Sequence, residues 1–350
     1  MTPTRQIREL ADGLRTAFGE SNATNRVRDF EGWTDRASRE DDADDGYDHT
    51  GTVKEYYDLC TEFMVWGWGE SLHFAPLSPS ESLEDSKVRH QRLMMSKLEL
   101  RPGMTVVDIG CGIGGPMRRV AREAGVRVVG INASEVQCSN ARRLNAAAGL
   151  AEVTECLQCS FMDMSAIADR TFDRGYAIES TCHADDKAAA FAEIYRVLKP
   201  GALLWGQEMC MTDLYDPGSD RHRTIERELR RGIALKDIAR FGEVNRALET
   251  AGFEVLEGTD LAVHQGSADT PWYQPMETPR GLPGGALRRT PIGRKALRWG
   301  LRIAELLGAF PKGSAEVVAL LDRTANAYVA GGKSAIFTPL YCFVARRPVD

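Results

Sequence analysis

The central part of the chain alternates between short apolar runs and longer stretches in which apolar residues recur at helical spacing. Thr105–Ile109 is a short run rich in β-branched residues, which is typical of a buried strand. Ser134 is the expected N-cap of a helix over 134–148. The same patterns predict further strands over 126–131, 153–158, 175–178, 202–209, 253–256 and 336–345, and helices over 81–98, 115–124 and 185–198. Alternating strands and helices indicate a mostly parallel sheet with helices on both faces.

Two segments lack this alternation. Residues 53–74 contain seven aromatic side chains if His73 is included, which is too many for an exposed arm. Residues 262–335 form an insertion before the last predicted strand. Because sheets of this kind bind ligands at the carboxyl ends of their strands, we expect both segments to cover a cleft there.

The composition excludes several classes of protein. With 43% hydrophobic and 27% charged residues the chain is expected to fold, and a net charge of −6 disfavours nucleic acid as a partner. No apolar run approaches the roughly 18–20 residues of a membrane-spanning helix. The N-terminal segment mixes charges throughout and lacks the apolar stretch of a secretory signal. We therefore expect a cytoplasmic protein.

Charge is distributed unevenly behind this small net value. Residues 1–50 hold seven arginines against 12 acids, a net charge of −5, and include the acidic run over 40–45. We expect a solvated or frayed arm there. Residues 280–312 hold six arginines and two lysines against Glu305, a net charge of +7. Within them, 291–308 interleaves basic and apolar residues, which suits a helix on an anionic membrane surface and also a soluble helix that packs on the sheet and shows its arginines to water.

The cysteines do not form a recognisable framework. Eight of them are scattered along the chain, which favours reduced thiols over disulfides. Cys156 and Cys159 form a single CxxC in a predicted strand, where their spacing directs them to opposite faces. Since no second pair completes a zinc site, no metal site is predicted.

A glycine-rich loop follows the first predicted strand. Residues 106–116 read VVDIGCGIGGP, and glycines allow the backbone to turn tightly and to approach a ligand closely. The GxGxGG spacing differs from a dinucleotide-binding motif and resembles motif I of class I methyltransferases, which use S-adenosyl-L-methionine (SAM). The resemblance implies SAM as the cofactor, rather than NAD(P) or a purely structural turn. The contacts expected from this loop are Asp108, Gly110, Cys111, Gly112 and Gly114.

Two positions depart from the usual pattern of such enzymes. An acid usually binds the ribose hydroxyls at the end of the second strand, whereas this chain has Asn132, which can still hydrogen-bond without a charge. Gln137 is a further candidate contact. On the adenine side, the family's Asp would align with Ser160, which precedes Phe161. Either Ser160 or Asp163 could reach the adenine amino group, and Asp163 is equally interpretable as a solvated turn residue.

Four further blocks resemble sterol 24-C-methyltransferases, and the similarity spans roughly residues 50–347. The blocks are WGWGESLHF at 66–74, YAIESTCHA at 176–184, QEMCMTD at 207–213, and AGGKS with FTP at 330–339. The resemblance implies methyl transfer from SAM to the Δ24 side-chain alkene of a sterol through a carbocation. The partner would then be a sterol or other isoprenoid lipid. Two alternatives stay open, namely another isoprenoid or prenylated acceptor, and a SAM-binding protein without catalysis.

The same resemblance suggests residue roles. Glu179, at a strand end, is the candidate for charge stabilisation, for the final proton and for a cofactor contact, or else a structural acid. His183 would share the proton or be structural. Tyr56, Trp66 and Tyr176 would turn their rings toward the cation or pack in the core. Glu208 would bind a sterol hydroxyl or have no role.

The expected fold is α/β, with the Rossmann-like, seven-stranded, mostly parallel sheet of class I methyltransferases. An N-terminal aromatic helical segment and a C-terminal helical insertion before the last strand would be added to it. The expected division is an acidic arm over 1–50, a helical lid or substrate segment over 51–100, a SAM-binding core over 101–261 and a C-terminal region over 262–350. We also expect a homo-oligomer.

Overall fold

A computed structural model describes residues 3–19, 23–37, 48–79, 81–262, 270–278 and 286–349. The chain separates into two units, neither of which is continuous in sequence. The helical unit comprises Met1–Gly69, Tyr215–Asp237 and Tyr273–Ile336, and the sheet unit comprises Glu70–Leu214, Ile238–Trp272 and Phe337–Asp350. This division differs from the linear boundaries expected at 50, 100 and 261, because the chain crosses between the units several times.

The sheet has seven strands in the order β3-β2-β1-β4-β5-β7-β6. The strands are β1 Thr105–Ile109, β2 Arg127–Asn132, β3 Thr154–Gln158, β4 Phe172–Ile178, β5 Leu198–Met211, β6 Glu254–Asp260 and β7 Phe337–Arg346. The first five run parallel, and β7 is antiparallel to both β5 and β6. The predicted mostly parallel, Rossmann-like sheet is thus confirmed, and its strand order reverses between β1 and β4.

Helices account for most of the remaining described chain. They are α1 Pro3–Phe18, α2 Ala23–Ala37, α3 His49–Trp68, α4 Leu83–Lys97, α5 Gly115–Ala124, α6 Glu135–Ala147, α7 Lys187–Val197, α8 Asp220–Gly232, α9 Phe241–Thr250, α10 Gln274–Glu277, α11 Pro291–Leu306 and α12 Ser314–Lys333. Ser134 caps α6 as expected, since its hydroxyl accepts the Gln137 N–H at 3.2 Å. None of the described helices combines the length and apolar character needed to cross a bilayer.

The central strands of the sheet are buried on both faces, which explains their continuous apolar runs. Neighbouring residues of β1 point to opposite faces, so that Val106 packs with Met117 while Val107 packs with Phe191. Gly206 in β5 leaves room for the ring of Phe343 from the antiparallel β7.

The head of the chain differs from the expected solvated arm, because residues 3–18 and 23–37 form helices. On α2 the buried residues are Ala23, Val27, Phe30 and Thr34, a helical spacing that places all four on one face. Both α1 and α2 pack against α3 within the helical unit. The high charge of this segment belongs to the outer faces of the helices. The acidic run over 40–45 lies outside the described residues.

The close approach in the sheet gives a stability prediction. A Cβ at position 206 would lie 2.1 Å from Cζ of Phe343, so Gly206→Ala should overpack the core and lower the free energy of unfolding by about 1–3 kcal/mol. Thermal denaturation would show this as a reduced Tm. Gly300→Ala, inside α11, is the control, because no described atom apart from the neighbouring helix backbone lies within 4 Å of its Cβ position. Alanine there should raise the Tm slightly. An unchanged Tm for Gly206→Ala would contradict the packing described.

Candidate active site

The candidate site lies where the strand order of the sheet reverses. In parallel sheets the crevice beside this point, at the carboxyl ends of the strands, is where ligands bind. The glycine-rich loop follows β1, and Glu179 follows β4, the neighbouring strand. The loop is in direct contact with the residue that follows Glu179, because a Cβ at Gly110 would lie 2.3 Å from Cβ of Ser180. The Ser180 hydroxyl also donates to the carbonyl of Ile109 at 2.5 Å.

The glycine-rich loop has one open position. Gly110, Gly112 and Gly114 have φ values of +75°, +54° and +76°, which favour glycine. A Cβ at Gly110 or Gly115 would strike Ser180 or the backbone of Glu70, but a Cβ at Gly112 would meet nothing within 4 Å. The loop therefore presents an uncovered stretch of backbone at Gly112. This is the surface that a ligand lying against the loop requires, and the loop fits SAM in this respect.

The thiol of Cys111 is buried. Its Sγ lies 3.5 Å from Sγ of Cys156, beneath the loop. A Cβ on Gly130 would approach this sulfur to 2.6 Å, so glycine in β2 makes the space for it. The thiol is therefore a packing group of the loop.

Asp108 is buried at the end of β1. Burial raises the pKa of its carboxyl to about 7, although the hydrogen bond from Tyr176 opposes this shift. The Tyr176 hydroxyl donates to Oδ2 of Asp108 at 2.8 Å, and the Tyr176 ring is fully buried among core residues. The structure thus places Tyr176 in the core as a positioning residue for Asp108, not as a ring exposed toward a substrate.

Uncharged side chains stand at the end of β2. The Asn132 amide donates to Oε1 of Gln137 at 2.9 Å and, at 3.4 Å, to the carbonyl of Gly112. Its Oδ1 accepts the Ser134 N–H at 2.9 Å. The predicted pair of Asn132 and Gln137 is therefore brought together next to the open part of the loop, with amide groups that suit hydroxyl ligands.

The segment after β3 forms a tight turn. Ser160 and Asp163 are bridged, and the Ser160 hydroxyl accepts the Met162 N–H at 3.1 Å. The exposed Asp163 carboxylate accepts the Ser165 N–H at 3.0 Å, and hydrogen bonds from the Ser165 side chain and backbone lower its pKa. Asp163 thus acts as a turn residue in this structure. Ser160 and the half-buried Phe161 stay the candidates for the adenine side.

Glu179 is the most unusual residue of the site. Its φ of +53° is uncommon for a residue with a side chain, and such outliers concentrate at functional sites. Its Oε1 accepts two hydrogen bonds of 2.6 Å, one from the backbone N–H of Phe74 and one from the amide of Gln207. Burial raises the pKa of this carboxyl to about 8, and the Phe74 hydrogen bond opposes the shift. Glu179 is thus held largely protonated at neutral pH.

Gln207 is the functional residue that the sequence analysis missed. Its amide nitrogen also donates to the carbonyl of Pro339 at 2.9 Å, and its Oε1 is 2.7 Å from Nε2 of His90. Because the amide oxygen only accepts, His90 carries its proton on Nε2. Burial lowers the pKa of His90 to about 4, so the ring is neutral. The alternation of side chains along β5 could have revealed Gln207. Gln207 lies on the same face of the sheet as Glu179, whereas its neighbour Glu208 lies on the opposite face.

His73 supports the other donor to Glu179. Its Nδ1 lies 2.7 Å from the carbonyl of Phe74, which requires a proton on Nδ1, and its Nε2 accepts from the amide of Gln91 at 2.8 Å. Burial and the nearby His90 lower the pKa of His73 to about 3. A neutral ring of fixed tautomer therefore holds the Phe74 peptide beside Glu179.

Glu208 and His183, the other predicted acid and base, lie beside and within the turn after β4. Glu208 is fully buried, accepts from the Thr181 hydroxyl, and pairs with Nζ of Lys187 at 3.1 Å. Although burial opposes it, the Glu208 carboxylate raises the pKa of Lys187. Glu208 therefore holds the turn after β4 to β5. His183 is buried in that turn, a 3-10 segment over Thr181–His183.

Trp66 and Tyr56 belong to the helical unit. Tyr56 is 1% exposed on α3 and stacks with Phe30 at 5.6 Å between ring centroids, so it is a packing residue. Cζ of Arg288 lies 4.9 Å from the centroid of the Trp66 ring. In this structure the cation that faces Trp66 is thus an arginine of the chain itself.

Comparison with known proteins identifies the family. The family model of mycolic acid cyclopropane synthetase matches residues 46–281, and that of the sterol methyltransferase C-terminal region matches residues 285–349. Cycloartenol-C-24-methyltransferase 1 of Oryza sativa subsp. japonica is 38% identical over 98% of this chain and 98% of its own length. The chain belongs to the sterol 24-C-methyltransferase family.

Other relatives agree with this assignment. The sterol 24-C-methyltransferase of Saccharomyces cerevisiae (strain ATCC 204508 / S288c) is 35% identical, with 96% of this chain and 89% of that protein covered. The cyclopropane synthase MmaA2 from Mycobacterium tuberculosis has the same fold, with a TM-score of 0.66 at 19% identity over 85% of this chain and 98% of the other. Membership confirms a SAM-dependent methyltransferase, as the glycine-rich motif and the sterol-type blocks predict.

The raised pKa of Glu179 makes the stability of this methyltransferase depend on pH. Between about pH 4.5 and pH 8 the folded protein keeps a proton that the unfolded chain releases. The corresponding stability is complete below pH 4.5 and is lost as the pH rises through 8. Glu179→Gln, which cannot ionise, should therefore lose less Tm than the wild type between pH 5 and pH 8.5, by about 5 °C or more.

Thermal denaturation across this pH range measures the effect. The control is Glu249→Gln on the exposed face of α9, which should follow the wild type at every pH. Asp108 is present in all three proteins, so its own titration cancels in the comparison. Parallel curves for the wild type and Glu179→Gln would refute the buried, protonated carboxyl.

Proposed function

We propose that this methyltransferase adds a methyl group to the Δ24 side-chain alkene of a sterol and that Glu179 accepts the proton released from the alkylated product. The substrate class follows from the relatives, whose names specify sterol C-24 methylation at up to 38% identity over nearly the whole chain. Bound SAM supplies an electrophilic methyl group. The observation that carries the role of Glu179 is its buried carboxyl, fixed through one oxygen only.

The chain holds the cofactor through backbone and uncharged side chains. The open backbone at Gly112 and the other loop glycines would receive its amino-acid and ribose parts, as motif I does in the family. The amides of Asn132 and Gln137, already hydrogen-bonded to one another at 2.9 Å, would bind the ribose hydroxyls. Ser160 and Phe161 would border the adenine.

The second oxygen of Glu179 is available for proton transfer. Both donors to Glu179 bind Oε1, and Oε2 makes no hydrogen bond to any residue that the structure describes. Glu179 also keeps 7% of its surface accessible. A positive charge that comes within reach of Oε2 favours the ionised carboxyl and lowers its pKa. The carboxyl can therefore ionise when a cationic ligand is present and then accept a proton at Oε2.

Turnover of Glu179→Gln tests this role. Because an amide cannot accept the proton, we expect kcat to fall at least 100-fold with a Δ24 sterol. SAM should bind normally, as measured by calorimetry. The wild-type kcat/KM should rise with pH around 8 as Glu179 ionises in the free enzyme, and this limb should be absent from the residual activity of the variant.

Gly112→Val is the control for cofactor binding, with the opposite expected result. Its side chain would fill the open face of the loop at a φ of +54°, so SAM binding itself should be lost. Products are identified by mass spectrometry with labelled SAM and a panel of Δ24 sterols, linear prenyl diphosphates and tocopherol precursors. Wild-type turnover in Glu179→Gln would remove Glu179 from the mechanism, and methylation of a prenyl diphosphate alone would refute the sterol acceptor.

We further propose that α11 docks the enzyme on an anionic membrane surface. Its exposed apolar residues form one stripe, since Ile292, Trp299 and Leu306 are seven residues apart and 76%, 69% and 87% exposed. The exposed Lys295 and Arg302 lie to one side of this stripe. Contrary to a soluble helix that shows only its arginines to water, α11 turns large apolar side chains outward. An amphipathic helix with this arrangement suits the lipid interface.

The opposite face of α11 is committed to packing. Leu301 is buried, and the buried Arg294 donates to Asp322 at 2.5 Å and to Asn326 at 2.8 Å on α12. The outer stripe therefore cannot turn inward without breaking these contacts. Arg294 is a structural residue, and the surface charges of the helix are supplied by its other basic residues.

Sedimentation with vesicles tests the docking. The wild type should bind phosphatidylcholine vesicles that contain 30% phosphatidylglycerol and release them at high salt. Trp299→Ser/Leu306→Ser should reduce the bound fraction at least fivefold. Val349→Ser is the control, because Val349 is 78% exposed outside α11. Equal binding by the wild type and the double variant would refute the stripe as the docking face.

A further inference from the structure

Two consecutive arginines lie against the tryptophans at the end of α3. Arg288 and Arg289 end a 3-10 turn over Ala286–Arg289, immediately before α11. Cζ of Arg288 lies 4.9 Å from the ring centroid of Trp66, and Cζ of Arg289 lies 6.0 Å from that of Trp68. Arg289 also donates to the carbonyl of Gly67 at 3.1 Å. The two guanidinium groups are thus held in place by rings and by a helix end.

No carboxylate in the part of the chain that the structure describes compensates the charge of this pair. Among the described residues no carboxylate pairs with Arg288 or Arg289, whereas Arg294, five residues on, is paired with Asp322. The Nε atoms of both arginines are shielded from solvent and make no hydrogen bond to the described residues. Burial and the neighbouring charge of Arg288 lower the pKa of Arg289 to about 10. Two adjacent, partly dehydrated cations without a counter-charge are unfavourable unless an anion joins them.

The turn that carries the arginine pair is also held by hydrogen bonds from Arg294. Arg294 donates to the carbonyl of Arg289 and, at 2.8 Å, to that of Met276. The Thr290 hydroxyl caps α11 by accepting the Gly293 N–H at 3.2 Å. The arginine pair is therefore already held in position before an anion binds. Binding would then require little ordering of these side chains.

We propose that Arg288 and Arg289 form a binding site for a phosphate group, and that its source is the headgroup of a membrane phospholipid. Planar guanidinium groups bind phosphate oxygens through paired N–H donors, and stacking on an indole leaves those donors free at the edge. The pair precedes the outer stripe of α11 directly, next to Leu287, which is 62% exposed. This places a phosphate site at the start of the helix proposed to lie at the lipid interface, and the assignment to a lipid rests on that docking.

Binding of a soluble phospholipid tests this site separately from docking on a membrane. Monomeric dihexanoylphosphatidylglycerol, below its micelle concentration, should bind the wild type saturably in calorimetry. Arg288→Gln/Arg289→Gln should weaken this binding at least tenfold. Lys295→Gln/Arg302→Gln removes the same charge from the exposed face of α11, and it should leave monomer binding unchanged while weakening binding to vesicles. Arg288→Lys/Arg289→Lys keeps the charge without the planar fork and should show an intermediate loss.

The outcomes are distinct. No saturable binding by the wild type, or an equal loss in the Gln/Gln pair and the Lys295/Arg302 pair, would overturn the site even if vesicles still bind through α11. Inorganic phosphate that competes as strongly as the lipid would overturn the lipid source and assign a soluble phosphate. If the Gln/Gln protein fails to fold by circular dichroism, the Lys/Lys variant decides, and undiminished binding by it would refute recognition by the guanidinium fork.

Discussion

The sheet unit depends on a carboxyl group buried at the end of a parallel strand. Burial removes Glu179 from water, so the hydrogen bonds it loses must be replaced by donors of the protein. The backbone of Phe74 and the amide of Gln207 replace them on Oε1. These donors come from the segment before α4 and from β5, and His73 and His90 hold them in turn. One buried acid therefore fixes two segments that are far apart in the sequence.

Two acids within this unit show how surroundings decide chemistry. Glu208 and Glu179 are both buried near the ends of adjacent strands, yet Glu208 faces Lys187 and Glu179 faces neutral donors. An ion pair stabilises a charge and keeps it where it is. Neutral donors leave the carboxyl with a pKa of about 8, within reach of a proton exchange near physiological pH. Of these two acids, Glu179 therefore has the surroundings that suit the proposed acid–base role.

Sequence patterns predicted the sheet well because its central strands are buried and each turn carries its own signal. Thr105–Ile109 and Gly115–Ala124 have the predicted bounds, and Ser134 is the predicted cap. The helices of the head were missed, because charge was weighed above the helical spacing of residues such as Val27 and Phe30. Composition describes the solvent-facing side of a helix as strongly as its packed side, and only periodicity separates the two.

Only part of the site could be predicted from the sequence, because its residues come together for different physical reasons. Glu179 and the glycine loop stand at strand ends, where the topology alone brings them together. Gln207 acquires its role only through the register of β4 and β5, since its backbone carbonyl accepts from Glu179 and its side chain shares that face. The aromatic residues were least predictable, because a buried ring in the core and a ring at a cation have the same sequence signature. Tyr56 and Tyr176 proved to be packing rings, and Trp66 faces an arginine.

The basic C-terminal segment shows why a net charge describes this protein poorly. Its arginines differ in their surroundings: Arg294 is buried and paired, Arg288 and Arg289 lie on indole rings with no acid partner among the described residues, and Arg302 is exposed. Of these arginines, only the exposed Arg302 adds its charge directly to the electrostatic potential of the surface. Arg294 holds α11 so that its apolar stripe stays outward, and it also fixes the turn that carries Arg288 and Arg289. The buried ion pair of Arg294 is therefore what allows one short segment to present apolar side chains and the guanidinium groups of Arg288 and Arg289 together.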